Sequence, residues 1–491
     1  MNRFRPLLFW IFVFMFFSTT SSVLFYTFGY RFNFDRGIFI YTGSISIKAV
    51  PEKVDITVDD EFIPEKKLGI LNRSIHIGGL MPGEHFIRVS APGYTSWTKK
   101  VTVQSGLSVE FWNVLLTKEN IVPERIPSTA YVTKIFQSRE KGIFALTKKQ
   151  GDIFSVDIFD TDTNTSEQVL SLAHTTLPLD ISLNIEWSPD NTHILVPTEK
   201  DGIVTYLIVN IKTKQVVSLN DLTEGETIHT LHNPRWDPAN RDYILYTEEL
   251  SLYRVNIATT ETLPLLIQKG IRAYNFSGQN IYYLNNENGI IYRISSNLIP
   301  TEPLQITTLS LDLLDQSPYT LILYDETRIA VQENATGKLW LYNTIRPGET
   351  FLKEIAKKDI RGVQFSDDGK KLLFFSENEI AVYFVRNWEV QPIREYNTIL
   401  QIARFSNPIR NIVWGADYEH VLFSLGNTAK MIELDNRDQR NIADIITFPT
   451  LIRQMLSYTE DNFLYFVSDI DGNTETLSRI PITEKTGILG F

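Results

Sequence analysis

WSPDNTHILV at residues 187–196 and WDPANRDYILY at residues 236–246 share one grammar: an aromatic ring, a short polar turn, then an apolar strand. The unit recurs as FQSREKGIFAL from Phe136, FSGQNIYYL from Phe276, YDETRIAV from Tyr324 and FSDDGKKLLFF from Phe365. It ends with WGADYEHVLF from Trp414 and YTEDNFLYFV from Tyr458. The leading aromatics stand 51, 49, 40, 48, 41, 49 and 44 residues apart. That period predicts one four-stranded propeller blade per unit, with each aromatic ending an inner strand. Runs such as TYLIVNI (205–211), LYRVNI (252–257), IIYRIS (290–295) and LWLYN (339–343) are then third strands. A single such sheet exposes two apolar faces. Radial stacking buries them, and closing the ring leaves few free edges. The expectation is eight blades, or seven if a terminal unit is degenerate, with residues near Ile121 closing the ring.

Composition agrees. The chain has 491 residues, too long for one ordinary core, and 12% of it is aromatic. That richness, with abundant Val, Ile and Thr, favours strands. The net charge is −11, which argues against nucleic acid as a partner. There is no cysteine, so disulfides, thiolate nucleophiles and cysteine-bound zinc are excluded.

Residues 7–30 carry no formal charge and begin LLFWIFVFMFF. A membrane-spanning helix needs about 20 apolar residues. Arg3 and Arg5 precede the stretch, Arg31 and Arg36 follow it, and Trp10, Tyr26 and Tyr30 fall near its ends. Hydroxyls of the polar 18–22 segment can bond back to helix carbonyls. A cleaved signal peptide with an apolar region at 7–17 is the rival, but its only candidate cleavage zone, 18–22, lacks an A-x-A pattern. Either route places the bulk of the chain outside the cytoplasm.

Residues 44–118 read as a small antiparallel β-domain. SISIKAV (44–50), VDITV (54–58), 85–90 and 100–103 alternate with period two, and turns at Asp59-Asp60, Gly78-Gly79, Pro82-Gly83, Pro92-Gly93 and Ser105-Gly106 separate them. Pro51-Glu52, the LMPGEH segment at 80–85, Pro92-Gly93-Tyr94, and Val101, Val103 and Gly106 resemble the PEGA family. Lys53 and Asp60 stand where that family usually has glycine, so these turns must tolerate them or differ. The resemblance implies a bacterial surface or envelope setting and no catalysis. Ser188-Pro189-Asp190, the 366–370 segment SDDGK and the 468–473 segment SDIDGN resemble TolB-like and WD-type propeller repeats.

The expected fold class is therefore mainly β: a membrane anchor helix (1–30), a linker (31–43), a PEGA-like domain (44–118) and a β-propeller (119–491).

Chemistry-bearing candidates are few. Asp469, Asp471, Asn473 and Glu475 have the alternation of a calcium loop, and Asp160, Asp162 and Asn164 look similar. Both also read as hairpin turns, the preferred reading. His229 and His232 have a metal-ligand spacing but no predicted helix and no third ligand. Tyr94 and Trp97 suit a sugar- or peptide-stacking surface, although Tyr94 is better read as packing the small core. Sequons begin at Asn72, Asn164, Asn275 and Asn334. The G-x-S-x-G, H-E-x-x-H and Walker-type patterns do not occur. No residue is assigned a catalytic, cofactor-binding or metal-ligating role, and no cofactor is expected. The expected function is non-enzymatic: a single-pass, extracytoplasmic binding scaffold for an envelope protein or polysaccharide. The alternative is a propeller glycan hydrolase with two facing channel carboxylates.

Overall fold

The structure is a computed structural model, and it describes residues 4–33, 37–64, 67–68, 74–127, 129–138, 142–178, 185–223, 231–259, 263–296, 302–346, 348–458, 463–470 and 474–482.

Helix α1 (Phe4–Thr27) opens the chain. Its window Leu7–Thr27 is long and apolar enough to cross a membrane, and none of it is buried within the chain. The polar middle is accommodated internally: Thr19 donates to Met15 O, Ser22 to Ser18 O and Thr27 to Val23 O. The helix stops because Gly29 takes φ +87 and turns the chain back, a conformation glycine adopts without cost. The stretch 31–43, expected as a linker, carries a hairpin instead. Its strands are β1 (Tyr30–Asn33) and β2 (Ile38–Tyr41).

The small domain is a sandwich of two four-stranded sheets. One contains Gly43–Val50, Lys67–Leu68, Ser74–Leu80 and Ser108–Leu115. The other contains Asp55–Val58, Glu61–Ile63, Gly83–Ser90 and Trp97–Val103. Period-two alternation sends Ile45, Ile47, Ile56, Val58, Ile75, Ile77, Ile87, Val89, Val101 and Val103 into one core. Burying each such side chain is worth about 1.5–3 kcal/mol. The domain is not wholly antiparallel as expected, because Ser108–Leu115 pairs with Gly43–Val50 in parallel. A parallel pair needs a long crossover, and here the rest of the domain supplies it. Asp59 and Asp60 both adopt left-handed backbone, so Asp60 accepts the turn where the PEGA pattern has glycine. Asp59 is fixed further by His85 at 2.6 Å and by the N–H of Phe86. Burial works against the Asp59 carboxylate, but those hydrogen bonds prevail and hold its pKa below the ordinary value.

Beyond the small domain, the described residues form eight four-stranded sheets. They cover 132–173, 186–218, 232–269, 271–305, 319–356, 362–404, 409–447 and 454–481, with Glu124–Arg125 as the outermost strand of the eighth. Eight apolar clusters alternate with them, each shared by two consecutive sheets, and one joins the eighth to the first. The ring is closed. This geometry explains the unbroken apolar runs. Second strands are covered on both faces, so Leu464 and Phe466 pack toward the seventh sheet while Tyr465 and Val467 pack toward the first.

The repeated aromatics stitch neighbouring sheets together. Trp187 ends its inner strand and donates to Phe136 O, Trp236 to Glu186 O, and Trp414 to Gln364 O. The TYLIVNI, LYRVNI, IIYRIS and LWLYN runs lie in third strands. Ser188 and Ser366 occupy equivalent turns after the inner strand, each donating to the aspartate two residues on. The Ser468 phrase sits elsewhere, at the end of a second strand.

Candidate binding cleft at the domain seam

The strand Trp97–Val103 is an edge of its sheet, with alternate residues turned inward. Lys99 occupies one of those inward positions and is completely buried. Burying an ammonium costs several kcal/mol unless it is paired. Here all three of its donors are engaged: Glu433 Oε1 at 2.6 Å, Gln439 O at 2.6 Å and Asp435 O at 3.1 Å, from the third strand of the seventh sheet and the turn that joins it to the outer strand. Glu433 also accepts from Trp97 Nε1 at 2.8 Å and from the Asn441 backbone N–H at 2.7 Å.

The same turn covers the sandwich edge. Lys100 N–H donates to Asp438, and Asn441 bridges the N–H and carbonyl of Thr98. The edge of the other sheet is covered likewise. Gln391 donates to Ser108 O and accepts from Glu110 N–H, while Arg437 donates to Glu110 O and stacks 4.1 Å from the Phe111 ring. Open strand edges invite association, and here the propeller supplies their cover. The two domains form one interlocked body.

More buried charge lies behind this contact. His420 is paired across the strands with Glu433, and its Nδ1 lies 2.7 Å from Asp417. Burial works against the imidazolium, but Asp417 outweighs it and raises the His420 pKa above its ordinary value. Asp417 is likewise held low, its burial overcome by His420 and by backbone N–H donors. Lys371, also fully buried, pairs with Glu419 and lies 3.7 Å from the Trp388 ring. Burial nonetheless raises the pKa of Glu419.

Beside the seam the domains leave an apolar cleft of about 320 Å³. Val50, Pro51, Tyr94 and Leu116 form its small-domain wall, and Leu422, Met431 and Leu464 belong to its propeller wall. Thr117 and Lys118 supply polar groups. Its size and lining suit an apolar side chain or short segment, and methionine adapts to varied shapes. A larger depression of about 760 Å³ between the fifth and sixth sheets is polar, and six of its charges meet in pairs: Arg361 with Glu377, Lys358 with Asp359, Arg404 with Glu379.

The sequence candidates fall as follows. Trp97 is buried in the seam and is no stacking platform. Tyr94 packs against the small core and borders the cleft. Asp160 caps the N–H groups of Asp162 and Thr163 in a hairpin whose Asn164 has φ +56, so that cluster is a turn. Asp469 and Glu475 face each other across the last hairpin, and Glu475 pairs with Arg453; Asp471 and Asn473 lie outside the described residues. His229 also lies outside them, and His232 opens an inner strand at the surface. Asn72 is outside as well, while Asn275 donates to Leu321 O of the next inner strand. Among the described residues no group of three or more His, Cys, Asp or Glu side chains is placed to hold a metal ion. The described inner strands carry two carboxylates. Glu186 holds Arg235 and Trp236 N–H, and Asp325 holds Arg328 and Thr327.

Sequence reading missed Lys99 and Glu433. A signal existed for the first: Trp97, Lys99, Val101 and Val103 share one face of the alternation, so the lysine sits where an apolar residue is expected.

The PEGA domain family matches residues 42–119. Among solved structures, the chain is similar to the Dos1 propeller, with 10% identity, 74% of this chain and 96% of that one covered, and a TM-score of 0.47. It is similar to the Hsv2 protein of Kluyvelomyces marxianus, with 12% identity, coverage of 66% and 100%, and a TM-score of 0.42. It is also similar to the Cps50 (Swd1) β-propeller domain of Myceliophteria thermophila, with 12% identity, coverage of 73% and 100%, and a TM-score of 0.39. No curated protein matches the sequence.

Proposed function

We propose that this chain is a membrane-anchored, extracytoplasmic binding scaffold whose PEGA domain and propeller jointly capture a protein partner in the cleft between them. The observation that supports this most is the interlock through Lys99 and Glu433, which holds the cleft walls in a fixed relation. A pre-formed site loses little conformational freedom on binding. The apolar lining favours protein side chains over a polysaccharide, because sugar hydroxyls buried there would lose their hydrogen bonds to water. Helix α1 supplies confinement at a membrane, and the PEGA match is in keeping with an envelope setting.

The test is photo-crosslinking in cells from benzoylphenylalanine at Tyr94 in the full chain. The expected result is one recurring protein adduct, lost when Ile445 in the cleft wall is changed to Glu and absent when the crosslinker replaces Val216 on an outer strand. An adduct that survives Ile445→Glu, or no protein adduct from Tyr94, would overturn the proposal.

A further inference from the structure

The junction between α1 and the PEGA domain is an aromatic device. In the β1–β2 hairpin Tyr30 faces Tyr41 and Phe32 faces Phe39, so alternation puts all four rings on one face. The paired ring centroids lie 5.1 Å and 5.2 Å apart. Phe25, in the last turns of α1, stacks on Phe39 at 5.4 Å and meets Tyr30 edge-on at 5.6 Å. The hairpin face and the helix end therefore make one apolar surface. Much of it is open: Phe39 is 50% exposed, Tyr41 43% and Phe32 39%, and Ile38, on the opposite face of the same strand, is 53% exposed.

The excursion is pinned at its root. Thr42 returns to the end of the helix and donates both its N–H and its hydroxyl to Gly29 O. Arg31 donates to Tyr26 O and Tyr30 O, and its guanidinium lies 3.5 Å from the Tyr26 ring. Helix, hairpin and PEGA domain thus meet at a braced corner.

A two-stranded hairpin is marginal in water, and an open aromatic face there invites association. Among the described residues it pairs with no third strand, and a two-stranded sheet is barred from the hydrocarbon core, where every backbone group needs a partner. The headgroup layer meets both constraints, since it hydrates edges and favours Tyr and Phe rings. We propose that the β1–β2 hairpin lies in the interfacial layer of the bilayer and sets how the rigid body stands on the membrane. This rests on α1 being a membrane span.

The chain has no cysteine, so single nitroxide labels can be placed in the full-length protein without removing native residues. Labels at Phe39→Cys and, separately, Ile38→Cys are compared with Phe14→Cys in mid-helix and Leu265→Cys on the third sheet, in phosphatidylcholine–phosphatidylglycerol vesicles. Collision with oxygen and with a water-soluble nickel chelate reads depth. The expected result is a several-fold loss of nickel collision at positions 38 and 39 relative to 265, with depth shallower than at 14. Labels at 38 and 39 as open to nickel as 265, or as deep as 14, overturn the hairpin proposal while a deep label at 14 leaves the span intact. A water-exposed label at 14 overturns both.

Discussion

Lys99 of the PEGA domain, with no solvent exposure, places its ammonium 2.6 Å from the carboxylate of Glu433 in the seventh propeller sheet. Removing one member of a buried pair leaves the other charge stranded. Glu433→Ala is expected to cost about 3–5 kcal/mol. In Lys99→Met/Glu433→Leu no charge is stranded, so part of that loss should return, leaving the Trp97 and Asn441 N–H groups without their acceptor, about 1–3 kcal/mol each. Urea unfolding of the detergent-solubilised chain across the double-mutant cycle measures this. Additive losses would show that the two residues do not act as a pair.

The charges around His420 give the seam a pH dependence. The folded pKa of His420 is raised, so its contribution is complete below about 6.5 and is lost as pH rises through the folded value. Glu419, raised by burial, loses stability in the same direction. Asp417 is lowered, so its contribution is present above 3.8 and lost as pH falls. Thermal stability should be highest in mildly acidic buffer and decline as pH rises above about 6.5, the ordinary histidine value. His420→Gln should flatten that decline, and an unchanged slope would count against the assignment.

A side chain adds to ring closure at the last seam. Gln454 accepts from Ile135 N–H at 2.7 Å and donates to Ile135 O at 2.8 Å. Gln454→Leu should cost about 1–3 kcal/mol, because buried backbone groups lose their partners. Hydrogen exchange should then quicken at Ile135 and along Glu124–Arg125. Gln364→Leu, which removes the bond to Ile412 O within the ring, should leave exchange at the closing seam unchanged.

Gly337 combines φ +73 with a backbone that sits where a Cβ would go, 2.4 Å from Ile360 N. Gly151 has φ +59 and open space around it. Gly151→Ala should therefore cost only backbone strain, about 1 kcal/mol, and Gly337→Ala should cost clearly more. Equal shifts in chemical denaturation would mean the approach to Ile360 relaxes freely.

Much of this architecture was legible in the chain. The aromatic-led units at Trp187, Trp236 and Trp414 mark inner-strand ends because each ring must reach the preceding sheet, a demand that recurs once per repeat. The unbroken apolar strand of residues 463–467 and the charge-free run before Tyr30 record burial or exposure locally, residue by residue. What the tertiary structure alone decided are matches between distant segments. Lys99 could be placed on an inward face, but its partner Glu433 could not. The parallel return of Ser108–Leu115 left no readable pattern either, and although residues near Ile121 are expected to close the ring, Glu124–Arg125 itself shows no strand pattern. Local periodicity reports which face of a strand is covered. Which neighbour covers it depends on the shape of the assembled sheets, and two residues are too short a strand to carry a period.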